Sequence, residues 1–157
     1  MNIDQELQDV VKLAAAYVLA LPVGYYREKE AHSVGLRTFP VVAMASCGYV
    51  LLAAGTGAHP SLDAQSRVIQ GVVAGIGFVG GGAILKSENH VHGTATAASI
   101  WNIAAMGVAV GMEHYLIAIL LAALNFVALA VLAPVKREID SRPEDAPTSR
   151  AKHGPDD

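Results

Sequence analysis

Tyr115-Leu-Ile-Ala-Ile-Leu-Leu-Ala-Ala-Leu-Asn-Phe-Val-Ala-Leu-Ala-Val-Leu-Ala-Pro-Val135 runs for 21 residues without a charged side chain. As a helix, such a stretch spans about 30 Å, the thickness of a bilayer's hydrocarbon core. Outward from it the pattern repeats. The 98 residues from Thr38 to Val135 hold five charges: Asp63, Arg67, Lys86, Glu88 and Glu113. Over the whole 157-residue chain, charged residues make up 16% and hydrophobic ones 53%, with a mean hydropathy of +0.40. An ordinary soluble domain carries about 25% charge, because a small globule must cover its surface with polar groups. Disorder and a disulfide-stapled secreted fold are excluded, and a soluble enzyme is disfavoured. A net charge of −3 and a pI near 6.0 offer no basic patch for nucleic acid. The lone Cys47 reads as a buried, inert thiol.

The apolar stretches are Leu13–Tyr26, Thr38–Leu62, Val68–Leu85, roughly Ala95–Met112 and Tyr115–Val135. The first reaches spanning length if Val10 and Val11 join it and Lys12 snorkels to the interface. The expected fold is all-α, a polytopic membrane bundle of about five transmembrane helices. Lys and Arg set its orientation. The loop of Arg27, Lys29 and Arg37, the loop of Lys86, and the bases from Lys136 onward total nine. The other side holds two, Lys12 and Arg67. The N-terminus is therefore expected outside and the C-terminus in the cytoplasm. The division is an external segment 1–9, a membrane domain 10–135 and a disordered cytoplasmic tail 136–157, with no cleavable signal peptide. The tail mixes five bases, six acids and three prolines and cannot bury a core.

Gly71, Gly75, Gly77, Gly80, Gly81 and Gly82 crowd the third stretch. Gly75-Ile-Gly77-Phe-Val-Gly80 matches the dinucleotide-binding G-x-G-x-x-G letter for letter. That motif needs a preceding strand and an acidic residue about 20 positions on, where this chain has Ser99-Ile100. Close helix packing is the better reading. Gly71/Gly75, Gly77/Gly81 and Gly107/Gly111 are GxxxG pairs. On this basis Gly77→Leu and Gly81→Leu are expected to disrupt folding or assembly far more than Ala109→Leu. The other reading is that Gly80–Gly82 break the helix and expose backbone to an ion path.

Several polar residues sit where they could act. Arg27, Glu28 and Arg37 can meet across a short loop as a partly desolvated cluster. Glu88, His90 and His92 alternate, so an extended loop would put them on one face, as a Zn²⁺-type site needs. The spacing is generic, and a solvated loop is the plainer reading. Thr96 and Ser99 are helical neighbours, and Asn102 lies deep enough to require a partner for its amide. No Asp, Glu, Lys or Arg falls mid-span, which counts against a proton-coupled pump.

Taken in order, these segments resemble the MgtC/SapB family of bacterial inner-membrane proteins. The carriers are Gly24-Tyr-Tyr-Arg27-Glu28, Gly35-Leu-Arg37-Thr38, Arg67-Val-Ile-Gln70, the block from Gly75 through Gly80, Gly81 and Gly82 to Ile84, and Val91-His92-Gly93-Thr-Ala-Thr96-Ala-Ala-Ser99-Ile-Trp101. Asn102 follows the last of these directly. Pro22, Tyr25 and Tyr26 depart from the family's first block, and His90-Val91-His92-Gly93 stands where an Asn-Val-Arg-Gly is common. The resemblance implies the membrane part alone, without the soluble C-terminal domain of some relatives. It implies no enzymatic activity and no cofactor beyond a link to Mg²⁺. It also implies roles in low-Mg²⁺ survival, stress and virulence, through self-association (a dimer first) or a partner complex such as the F-type ATP synthase. The alternative is an oligomeric channel or small-ion transporter.

Overall fold

A computed structural model describes residues 3–31, 35–54, 62–87 and 90–140. Five helices follow one another: α1 Ile3–Ala31, α2 Thr38–Ala54, α3 Leu62–Gly82, α4 Thr94–Gly111 and α5 Tyr115–Asp140. Each arises where an apolar run must satisfy its own backbone, since lipid offers no hydrogen-bond partner. α1 extends the first expected span back to Ile3, and α5 carries helix five residues past Val135. The residues after Asp140, expected as tail, lie outside the described residues. Three helical segments are long and apolar enough to cross a membrane: Ile3–Glu30, Thr94–Gly111 and Tyr115–Leu132. α2 is apolar but shorter, at 17 residues.

α4 is the central element and packs against each of the other four helices. Ile100, Ile103, Met106 and Val110 on it are buried, as are Phe39, Ala43 and Cys47 on α2 and Ala16, Ala20 and Val23 on α1. These positions recur every three or four residues, as one helix face does. Tyr26 of α1 meets Phe126 of α5 edge-on, with ring centroids 5.4 Å apart. The outer surface is apolar: Phe78 is 87% exposed and Leu116 71%. In water such a surface would aggregate; in a bilayer it faces acyl chains.

α2 and α4 approach closely through Gly107 and Gly111. A Cβ on Gly107 would overlap the Ala43 carbonyl, and one on Gly111 would stand 2.8 Å from the Val50 Cβ. The third-helix glycines behave differently. A Cβ on Gly71, Gly75, Gly77, Gly81 or Gly82 would meet nothing within 4 Å, and only Gly80 touches a neighbour, α4 at Ala97 and Trp101. Pairs with the same spacing thus split three ways: Gly107/Gly111 are covered by α2, Gly71/Gly75 line a cleft that α3 shares with α2, and Gly77/Gly81 are open. For folding of the single chain this reverses the expectation from sequence, since Ala109 is buried while Gly77 and Gly81 are open.

α3 runs unbroken to Gly82, and the triple glycine is its last turn. The chain leaves through Ala83 N–H and Ile84 N–H, which donate to the Gly80 and Gly81 carbonyls at 3.1 Å. The loop expected after it is in part a hairpin. β1 Leu85–Ser87 pairs antiparallel with β2 His90–His92, Lys86 facing Val91. Strands of three residues are too short for a period-two signal in the sequence.

Candidate functional site

The site lies where the end of α1, the start of α4, the middle of α5 and the hairpin converge. Arg27 comes from α1 and Thr96 from the first turn of α4, 69 positions later. The Arg27 Nε and Nη2 both donate to Thr96 Oγ1, at 3.0 and 2.7 Å. Thr96 is 4% exposed and Arg27 half-buried, so the bond is partly shielded from water. Charge-assisted bonds of this sort contribute about 1.5–3 kcal/mol. Arg27→Gln and Thr96→Val should each lower the unfolding midpoint in mixed micelles. The double variant should lose about 1 kcal/mol less than the sum. Strict additivity would remove Arg27–Thr96 as a tie between α1 and α4.

The Arg27–Glu28–Arg37 cluster expected from sequence does not form. Glu28 lies about 100° round α1 from Arg27. Its Oε2 accepts the Leu36 N–H at 2.7 Å, closing the α1–α2 connection. Gly35 presses its backbone against Gly24 there, so the connection is tight. Arg37 is exposed at the start of α2, beside Thr38, and among the described residues it forms no ion pair with Glu28. The charges are near in sequence, but α1 turns one of them inward to α4 and spends the other on backbone.

Beside the Arg27–Thr96 bond opens a cleft of about 650 Å³. Its polar lining includes Arg27, Glu30, His92, Ser99, Asn102 and Asn125, and its apolar side includes Leu124, Ala128 and Leu132. Thr96, Ser99 and Asn102 are each three residues apart, so α4 presents them along one stripe. Ser99 Oγ donates to Asn125 Oδ1 at 3.1 Å, joining α4 to α5. Asn125 Nδ2 and Asn102 Oδ1 are buried and have no hydrogen-bond partner among the described residues. Asn125 is a site residue that the sequence pattern does not single out. Asn125 is the one amide in the 21-residue apolar run, and that isolation was the available signal.

The remaining candidates are scattered. Arg67 and Gly75 are exposed on α3, and Trp101 is half-exposed against Gly80. Gly93 caps α4 at φ 87°. His92 lines the cleft, His90 lies in β2, and Glu88 falls outside the described residues. Among the described residues no group of three His, Cys, Asp or Glu side chains converges as a metal site.

At the opposite end of the bundle Lys12 Nζ meets Glu113 Oε1 at 2.7 Å, in the α4–α5 turn. That ammonium holds the Glu113 carboxyl below its ordinary range. The pair therefore contributes fully above the unfolded carboxyl's value and is lost as pH falls through the lower folded one. Melting measured from pH 7 to pH 3 should show a small acid step that Glu113→Gln lacks. The same step in both proteins would assign it to other carboxylates.

The profile of the MgtC family matches residues 13–138. The chain belongs to the MgtC family. It is 36% identical over 111 residues to Protein SrpB of Synechococcus elongatus, covering 64% of this chain and 61% of that protein. It is 33% identical over 106 residues to Protein MgtC of Salmonella typhimurium, covering 68% and 44%. Over 112 residues it is 32% identical to an Escherichia coli protein named putative magnesium transporter YhiD, covering 68% and 52%. The chain spans about half the length of the curated relatives it matches. No solved structure matches it.

Proposed function

We propose that this MgtC-family chain is a non-enzymatic, multi-pass inner-membrane protein of Mg²⁺-linked ion or envelope homeostasis, regulating a membrane complex through the glycine face of α3. Its N-terminus lies outside and its C-terminus in the cytoplasm, by the nine-to-two division of Lys and Arg. The Mg²⁺ link draws on the family and on the magnesium transporter name of the Escherichia coli relative. The observation that carries the mode of action is the open face itself. Gly77 and Gly81 lie one turn apart on one stripe of α3, a Cβ at either would meet nothing within 4 Å among the described residues, and small residues so spaced let a second backbone approach closely. Its occupant is a second copy or a partner complex, of which the F-type ATP synthase is the example that the family resemblance offers. Stress and virulence adaptation would follow from that regulation.

The test is native mass measurement after extraction in mild detergent, with Gly77→Leu and Gly81→Leu alongside. The variants should melt no lower than wild type and lose the self-associated or complexed species. A wild-type chain that is monomeric and uncomplexed would overturn the reading. The second reading, an oligomeric channel or Mg²⁺ carrier, draws on the amides lining the cleft. Arg27 beside them opposes a bare cation. Mg²⁺ flux in proteoliposomes would favour it.

A further inference from the structure

We propose that the cleft between α1, α4, α5 and the hairpin binds a phospholipid headgroup, specifically a phosphate ester that also carries a hydrogen-bond donor. Four observations define the ligand. The first is Arg27. Thr96 takes two of its five guanidinium N–H groups, and among the described residues nothing takes the others. A cation partly withdrawn from water and still holding free donors selects an oxyanion, and the planar fork suits phosphate.

The second and third are the two amides. Asn125 is 7% exposed, and its Nδ2 is a donor with no acceptor. Asn102 Oδ1 is an acceptor with no donor. Both residues line the cleft, and buried polar groups are ordinarily satisfied. The occupant must therefore present an acceptor and a donor besides its negative charge. A simple oxyanion offers acceptors only and would also meet the Glu30 carboxylate in the same lining, while a bare cation would meet Arg27. A phosphate ester bearing a hydroxyl or ammonium supplies all three.

The fourth is the apolar side. Leu124 and Leu132 border the cleft and are 63% and 61% exposed, so the space continues onto the surface that faces acyl chains. About 650 Å³ is far more than one tetrahedral oxyanion fills. A headgroup in the cleft with its chain over Leu124, Ala128 and Leu132 uses both sides. Phosphatidylglycerol and phosphatidylethanolamine have the required donor. Phosphatidylcholine, whose quaternary ammonium has no N–H, does not.

The experiment is native mass spectrometry of the full chain in mild detergent, titrated with each of these lipids carrying identical chains. Phosphatidylglycerol and phosphatidylethanolamine should be retained at least 10-fold more strongly than phosphatidylcholine. Asn102→Leu should erase that preference. Because Asn102 Oδ1 has no partner, this variant should also melt no lower than wild type without lipid, which separates binding from folding. Arg27→Gln should lower retention of every phospholipid about 10-fold, and Arg67→Gln on α3 should change nothing. Equal retention of phosphatidylcholine, or a preference unaltered by Asn102→Leu, would overturn the assignment. Glycerol 3-phosphate is the probe for a free source. A melting shift from it as large as that from the lipids would overturn the lipid assignment in favour of a soluble phosphate ester.

Discussion

Gly107→Leu should unfold most of the protein under conditions where Gly77→Leu leaves it intact. The two positions look alike in sequence, each the first glycine of a GxxxG pair in an apolar helix. At Gly107 a Cβ would overlap the Ala43 carbonyl oxygen and lie 2.9 Å from its carbon and 3.0 Å from its Cα. Those atoms are α2 backbone, so no side-chain rotation can relieve them. α2 would have to move away from α4, and Phe39, Ala43 and Cys47 would lose their packing together. Overpacking a core typically costs 1–3 kcal/mol, and displacing a helix puts this variant at or above the top of that range, about 3 kcal/mol. Native proteins hold only about 5–15 kcal/mol in total. Gly77 meets open space, and replacing a helical glycine there recovers up to about 1 kcal/mol of propensity. The measurement is the unfolding midpoint in mixed detergent micelles, with the monodisperse fraction on size exclusion as a second readout. A wild-type midpoint for Gly107→Leu would mean that the α2–α4 crossing is not the tight contact described.

That contrast marks what could be read from the sequence. Uncharged runs near 20 residues, separated by loops with asymmetric Lys and Arg, already specify a helical membrane bundle, because hydrocarbon permits few other backbones. Which glycine face turns inward was not legible. Gly71/Gly75 and Gly107/Gly111 have the same period, and only the position of α4 at the centre of the bundle decides that the latter pair is covered. The candidate site was half legible. Arg27, Thr96 and Asn102 stand out in the sequence, each for its chemistry, but the partner of Arg27 is Thr96 and not the nearby Glu28 or Arg37. Arg37 is ten residues away in sequence, whereas Thr96 is 69, and proximity along the chain favoured the former. Asn125 was hidden inside the very run that decided the fold. Its hydropathic neighbours made the segment read as a plain span, although one amide among them had to find a bond, and Ser99 supplies it.

Gly93→Val should be the second most damaging single change, for a different physical reason. Gly93 sits between β2 and α4 with φ 87°, a left-handed conformation that costs other L-residues about 1–2 kcal/mol and a β-branched one more. Its carbonyl accepts the Ala97 N–H at 2.9 Å, so the same conformation also starts the α4 hydrogen-bond ladder. A Cβ there would overlap the Ala83 carbonyl and stand 2.9 Å from its carbon, where the chain leaves α3. Backbone strain and backbone overlap add, which places the loss near 3 kcal/mol. Unlike Gly107→Leu, the damage is local at first. The hairpin must swing off the end of α3, and the first turn of α4 moves with it. Thr96 is in that turn, so the Arg27 bond and the mouth of the cleft should loosen before the α2–α4 core does. The expected result is a lowered unfolding midpoint together with faster proteolysis within residues 85–94, the latter visible below the melting transition. Gly93→Ala, which keeps the overlap but lacks β-branching, should show the same order of events at smaller amplitude. If Gly93→Val melts like wild type and its hairpin resists protease, then the left-handed residue is not what couples the hairpin to α4, and the cleft must be held open by Arg27 and Thr96 alone.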